Sequence, residues 1–244
     1  MKDHLLDLVS HTFDLGCIDQ VKITGTDKET TISGLAEDRS VVVEGTFANP
    51  VPEFVGVFGM PNLDRLNTIL NLPVYRDNSK ISVTKQKDAE GNDVPSGVNF
   101  ENDSGDFKNS YRFMATELAN ERIKTVKFKG ANWGIEFEPT AAAIQRLKMQ
   151  AAANSEENNF QAKTEDGDLK FYFGDHSTHA GNFVFQPDVS GTLKRAWAWP
   201  VKTVIGILDL YGDKVMRISD DGAAMITVNS GLATYNFILP AQSK

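Results

Sequence analysis

Apolar residues along this chain follow two rhythms that take turns. At the start, Leu5, Leu8, Val9 and Phe13 recur at three- and four-residue intervals, one stripe of an amphipathic helix, and Gly16 marks its stop. A second stripe, Leu63, Leu66, Ile69 and Leu70, follows Pro61 and ends before Pro73. A third helix is predicted after Pro139-Thr140, with Ile144, Leu147 and Ala151 inward. A fourth starts at Pro200 and turns Val201, Val204, Ile205 and Leu208 inward before Gly212. Proline at a first helical position gives up no hydrogen bond and presets φ, which suits both proline-led starts.

The intervening runs alternate with period two. "QVKITGTDKETTISGLAEDRSVVVEGTF" reads as three strands with polar turns. "FQAKTEDGDLKFYFG" and "KVMRISDDGAAMITV" read as hairpins turning at Asp166-Gly167 and Asp221-Gly222, because Asp-Gly accepts positive φ at low cost. "ITVNSGLATYNFILP" adds a last meander through Asn229 to Gly231. "KQKDAEGNDVPSG", residues 85 to 97, reads as an exposed hairpin loop.

Order turns these elements into an architecture. Each half runs helix, strands, proline-led helix, strands. Pro61 and Pro200 stand 139 residues apart, as do Leu5 and Ile144, so two landmarks give one spacing. "WAWPVKTVIGIL" repeats the plan of "FGMPNLDRLNTIL": aromatic, small residue, large apolar residue, proline, amphipathic helix. The prediction is an α+β chain of two similar domains, each with two short helices packed on antiparallel sheet. The domains span 1–115 and 131–244, with a connector at 116–130.

Composition narrows the class. A chain of 244 residues with 41% hydrophobic content has enough apolar surface for real cores. No apolar run approaches a membrane span, and Met1-Lys2-Asp3-His4 lacks a secretory core. One cysteine, Cys17, excludes an internal disulfide, fits a reducing compartment and reads as a buried structural residue. A net charge of −8 argues against a protein coated in positive charge, but leaves room for cations gathered on one surface.

Catalytic chemistry finds little support. There is no G-x-S-x-G, no Walker loop and no G-x-G-x-x-G after a strand. "GDHSTHAG" sets Asp175, His176 and His179 close together, yet glycines at both ends favour a hairpin loop over a metal site. No enzyme activity, metal or cofactor is expected.

The opening helix "HLLDLVSHTF", the pairing "FGMPNLDRLNTILNLPVYRDNSKISV", its repeat "WAWPVKTVIGILDLYGDKVMRIS" and the tail "ATYNFILPAQSK" resemble the DNA sliding clamps, the ring-shaped processivity factors of replicative polymerases. The likeness is nearest to clamps of T-even-like tailed phages and covers almost the whole chain as an architecture. It implies the DNA clamp fold: a homotrimer of two-domain subunits around double-stranded DNA, helices inside and sheets outside. It also implies a DNA polymerase and an ATP-dependent clamp loader as partners, with no membrane. Action would be cytoplasmic, in host cytoplasm if the chain is viral. Contacts to DNA would be diffuse and independent of sequence.

Helical projection gives the residues for this role. The second helix turns out Asp64, Arg65 and Thr68, the third Gln145, Arg146 and Met149 with Lys148 on a flank, and the fourth Lys202 and Thr203. Arg65, Arg146, Lys148 and Lys202 are therefore the candidate DNA contacts, Lys148 through its flexible stem; Arg65, Arg146 and Lys202 read equally as ordinary solvated helix charges. The first helix departs from the pattern, since Asp3, Asp7, Ser10, His11 and Asp14 project to an acidic outer face. In clamps the terminal tail borders an apolar pocket where polymerase and loader peptides dock. The resemblance thus points to Phe237, Ile238, Leu239 and Pro240, with Phe128 of the connector, as partner contacts; the same tail also reads as a buried strand. The competing class is a β-rich structural or carbohydrate-binding virion protein, which would not require the 139-residue echo.

Overall fold

The computed structural model of the chain describes residues 1–76, 78–88, 90–175 and 179–242. Its contacts divide it into two compact units. One is Met1–Lys127 with Ser230–Tyr235, and the other Phe128–Asn229 with Asn236–Lys244.

In the first unit, helix α1 (Lys2–Ser10) precedes β1 (Val21–Gly25), β2 (Thr30–Leu35), β3 (Val42–Phe47) and β4 (Gly56–Met60). These strands pair antiparallel in the order β4-β1-β2-β3, with Ile23 opposite both Ile32 and Phe58. Helix α2 (Leu63–Leu70) follows, then β5 (Lys80–Lys87), β6 (Asp93–Glu101) and β7 (Lys108–Arg112), a three-stranded antiparallel sheet in chain order. Helix α3 (Thr116–Arg122) closes the unit. Its core is the meeting of the helix stripes with the inward strand positions: Leu5, Leu8, Ile23, Phe58, Leu63 and Leu66 are all inaccessible.

In the second unit, β8 (Trp133–Phe137) leads into α4 (Ala141–Ala153). Strands β9 (Asn159–Glu165), β10 (Asp168–Gly174), β11 (Ala180–Gln186) and β12 (Trp197–Pro200) form a sheet in the order β11-β10-β9-β12. After α5 (Val201–Asp209), strands β13 (Asp213–Ser219), β14 (Ala223–Asn229) and β15 (Ala233–Pro240) give the order β15-β14-β13-β8. Phe171 is the hub of the core, its ring centroid 4.2 Å from Phe160 and 4.3 Å from Phe185. Helices α1 and α4 begin 139 residues apart, and α2 and α5 begin 138 apart.

Several local predictions need correction. Helix α1 stops at Ser10, and a short turn, Phe13–Leu15, closes on Gly16 at φ +75, leaving Phe13 only half-buried. Neither proline occupies a first helical position. Pro61 precedes the N-cap Asn62, and Leu63 N–H is received by the Asp19 carbonyl at 3.0 Å. Pro200 is itself the N-cap, ending β12, and Val201 N–H finds the Asn158 carbonyl at 2.9 Å. Because α5 starts at Val201, its buried stripe is Val201, Val204, Ile207 and Leu208, and Ile205 is half-buried. In α4, Ala143 and Leu147 are buried while Ile144 and Ala151 flank them.

The turns follow local chemistry. Asp166 (φ +55) and Gly167 (φ +86) make the two-residue β9–β10 connection. The β13–β14 loop is longer, Asp220 to Gly222, with positive φ at Gly222 alone. The loop predicted over 85–97 shrinks to residues 88–92, because both flanking strands continue into it. Helix α3 falls inside the predicted connector. Its Ala119 and Ile123 pack with Met114 and Leu118, close against Gly59 of β4, where a Cβ would lie 3.0 Å from Ile123 Cδ1.

Candidate nucleic-acid interface

The candidate cations sit on the solvent faces of helices whose opposite faces fill the cores. Arg65 of α2, Arg146 of α4 and Lys202 of α5 are all exposed. Asp64 and Thr68 accompany Arg65, and Gln145 and Met149, the latter 57% exposed, accompany Arg146. Thr203 is half-buried. No ion pair holds Arg65, Arg146 or Lys202 among the described residues.

Lys148 differs. Its ammonium lies 2.5 Å from Asp209 Oδ1 at the end of α5, so an acid 61 residues away occupies it. That partner leaves no trace in helical periodicity, which compares neighbours within one helix. Beyond α5, Lys214 donates to the Gly212 carbonyl at 2.8 Å, and burial pushes its amine below the usual lysine range. Lys2 is also engaged, donating to the carbonyls of Tyr75 at 2.5 Å and Arg76 at 3.2 Å.

The acidic outer face predicted for α1 is much reduced. Asp7 has a side chain only 8% exposed, and it accepts the Tyr235 hydroxyl at 2.8 Å. His11 is 1% exposed, with its ring stacked on Tyr235 at 4.6 Å and 2°. Ser10 is half-buried and bonds back to the Asp7 carbonyl at 3.0 Å. Asp3 and Asp14 remain exposed. Periodicity put Asp7 and His11 outside because it ranks polar residues as solvent-facing; a buried aromatic partner with a hydroxyl reverses that.

Residues 124–132 lie outside every helix and strand. Phe128 is half-buried, its ring 5.9 Å from Trp133. In β15, Phe237 and Leu239 are 0% and Ile238 6% exposed, so these three are buried, while Pro240 is exposed. A strand covered on both faces is apolar at consecutive positions, and such a run looks like an anchor motif in sequence.

The aromatic cluster before α5 is structural. Trp197 donates its indole N–H to the Asp220 carbonyl at 2.8 Å and lies under the Arg195 guanidinium at 5.9 Å. Trp199 is fully buried. His176 lies outside the described residues, and His179 is exposed. No cluster of three or more His, Cys, Asp or Glu with metal-site geometry occurs among the described residues. Cys17 is half-buried rather than buried, and desolvation, then Asp38, raises its thiol pKa. No helix among the described residues is long and apolar enough to cross a membrane.

No protein-family model matches the chain, and no curated protein matches it in sequence. Solved structures do. The chain is similar to PCNA from Thermococcus kodakaraensis, with a TM-score of 0.68 and 12% identity over 99% of this chain and 97% of that one. It is similar to A. fulgidus PCNA, solved with the C-terminal region of FEN-1 bound, at a TM-score of 0.69 and 10% identity over 100% and 97%. The Proliferating Cellular Nuclear Antigen of Entamoeba histolytica gives 0.66 and 9% over 97% and 94%. The fold is therefore the α+β fold of the PCNA clamps, along essentially the full length of both chains.

Proposed function

We propose that this protein is a DNA sliding clamp: a homotrimeric ring that encircles double-stranded DNA and tethers a replicative DNA polymerase, without enzymatic activity or cofactor. The observation that carries the reading is the pairing of a PCNA-like fold over the whole chain with exposed cations that make no ion pair among the described residues, on the solvent faces of helices in both units. A clamp holds DNA by topology, so a few cations per subunit, repeated by symmetry, meet phosphates without reading sequence. Arg65, Arg146 and Lys202 take that role, and Lys148 joins them when Asp209 releases it. Phe128 and Pro240 remain the accessible candidates for contact with polymerase and loader peptides. Ring opening by an ATP-dependent loader, and kinship with the phage type of clamp, belong to the same proposal.

Native mass measurement tests it. The expected species has three times the 26.9 kDa chain mass. Loader-dependent lengthening of polymerase runs on a primed circle then tests tethering. A strict monomer at micromolar concentration that leaves run length unchanged sinks the proposal.

A further inference from the structure

The sheet of β5, β6 and β7 buries one face and leaves the other open. Val98, Phe100 and Tyr111 are buried on the covered side. Tyr111 donates its hydroxyl to the Pro61 carbonyl, just ahead of α2, so that helix and its Arg65 belong to the covered side. Strand register sorts the open face into three rows. Lys80, Glu101 and Lys108 make the first, Ser82, Asn99 and Ser110 the second, and Thr84, Gly97 and Arg112 the third. Two adjoining hollows of about 500 and 240 Å³ lie on this face, with Asn99 and Ser110 common to both. Gly97 puts no side chain in the third row. A Cβ there would lie 2.6 Å from the Tyr111 carbonyl oxygen, so the sheet itself keeps the position open.

Charge on this face is one-sided. Glu101 is the only carboxylate lining either hollow, and Lys108 holds it at 3.1 Å. Lys80 and Arg112 are exposed and make no ion pair among the described residues, in a chain of net charge −8. Hydroxyls and carboxamides stand between them. The aromatic residues of the lining, Phe100 and Tyr111, are buried and offer no ring face. Successive rows are about 7 Å apart along the strands, and three strands span about 10 Å. Cations therefore stand at both ends of a strip about 14 Å long, with hydrogen-bonding groups between and the width of one extended chain.

We propose that this open face binds one single nucleic-acid strand by its sugar–phosphate backbone. Phosphates meet Lys80, Lys108 and Arg112, and Ser82, Asn99 and Ser110 reach sugar and phosphodiester oxygens. Such contacts position a strand without reading it, and with no ring to stack on, the bases turn to solvent. An acidic peptide fits less well, because peptide recognition relies on apolar anchors and this face offers no apolar side chain to receive one. The site is separate from the helix cations assigned to the duplex, and its test does not depend on ring formation.

The probe is fluorescein-labelled oligo(dT), bound to the full-length protein at low salt. An abasic strand of equal length, polyglutamate and dextran sulfate are the comparators. The abasic strand is expected to bind within about twofold of oligo(dT). The triple variant Lys80→Gln, Lys108→Gln, Arg112→Gln should lose about tenfold or more in affinity for both strands. It should also flatten the slope of log affinity against log salt by about two, at about 0.7 per phosphate on a single strand. The double variant Ser82→Ala, Ser110→Ala keeps every charge and should weaken binding about threefold. All five side chains are exposed, and circular dichroism checks the fold. Asn99→Glu should cost about tenfold, while Lys28→Glu, a larger charge change in the β1–β2 turn, should stay within about twofold. Equal losses for Asn99→Glu and Lys28→Glu overturn the proposal, since binding then follows total charge. An abasic strand that fails to bind overturns it too, as does polyglutamate or dextran sulfate binding as tightly as oligo(dT). A monomer that binds oligo(dT) as described sinks the clamp reading and leaves this one standing. A trimer that lengthens polymerase runs while the triple variant binds oligo(dT) unchanged does the reverse.

Discussion

Tyr235 of the last strand donates its hydroxyl to Asp7 of the first helix, 228 residues earlier, at 2.8 Å. The His11 ring lies flat on the Tyr235 ring, and Gly45 leaves the space beneath it, since a Cβ there would come within 3.0 Å of Tyr235 Cδ1. Burial, then the Asp7 charge, raises the tyrosine's pKa well above its ordinary value, so it stays a donor throughout the physiological range. The end of the chain is thereby fastened to its beginning within the first unit. Tyr235→Phe keeps the stacking and removes only the hydroxyl. It should cost about 1.5–3 kcal/mol, the range for a hydrogen bond to a charged group, read from urea unfolding. A cost near zero would mean that Asp7 finds another partner.

The pair formed by Lys148 and Asp209 leads to an affinity prediction. Both side chains are partly exposed, so the bridge contributes at most about 1 kcal/mol to stability. Asp209→Asn should leave the unfolding midpoint nearly unchanged while freeing Lys148 and removing a negative charge. Duplex DNA should then bind several-fold more tightly at low salt. The double variant Asp209→Asn, Lys148→Ala should lose most of that gain. Fluorescence anisotropy with a linear duplex reads both effects.

Much of the architecture was legible in the sequence because it rests on short-range rules. The stripes of α1, α2, α4 and α5 reflect the 3.6-residue period, and the Asp166-Gly167 turn reflects the conformational freedom of two residues. Helix α3 was not legible: seven residues give under two turns, and its burial depends on Gly59 coming close from β4. The exposed cations Arg65, Arg146 and Lys202 follow from projection alone. Pairings set by tertiary contact do not, which is why projection shows Lys148 on a flank without its partner and Asp7 facing solvent. The buried tail residues Phe237, Ile238 and Leu239 mark the same limit, since hydrophobicity cannot separate core from docking surface.

Alkaline titration offers a check on the second unit. Tyr172 donates to Glu165 Oε2 at 2.6 Å, and its pKa is pushed up to about 12, first by desolvation and then by that hydrogen bond. A phenol whose folded value exceeds its unfolded value contributes stability that is complete below about pH 10 and is lost as pH climbs through 12. Absorbance titration of the tyrosines should show one phenolate forming near 12 that Tyr172→Phe removes. Glu165→Gln should bring it down toward 10. The variant Tyr172→Phe should also lose less stability than the parent between pH 10 and 12.

The DNA reading itself rests on Arg65, Arg146 and Lys202, and salt dependence separates phosphate contacts from solvated charge. Each neutralised phosphate contributes about −0.9 to the slope of log affinity against log salt on duplex DNA. In a trimer, one substitution removes three cations, so Arg146→Ala or Lys202→Ala should flatten the slope by about one to three. Affinity should fall equally on unrelated sequences, because no base is read. Native mass should match that of the parent protein, since all three side chains are exposed. Lys28, exposed in the turn between β1 and β2, gives the control: Lys28→Ala should leave the slope unchanged. If Lys28→Ala and Lys202→Ala flatten it alike, binding follows total charge and the helix faces have no special part in it.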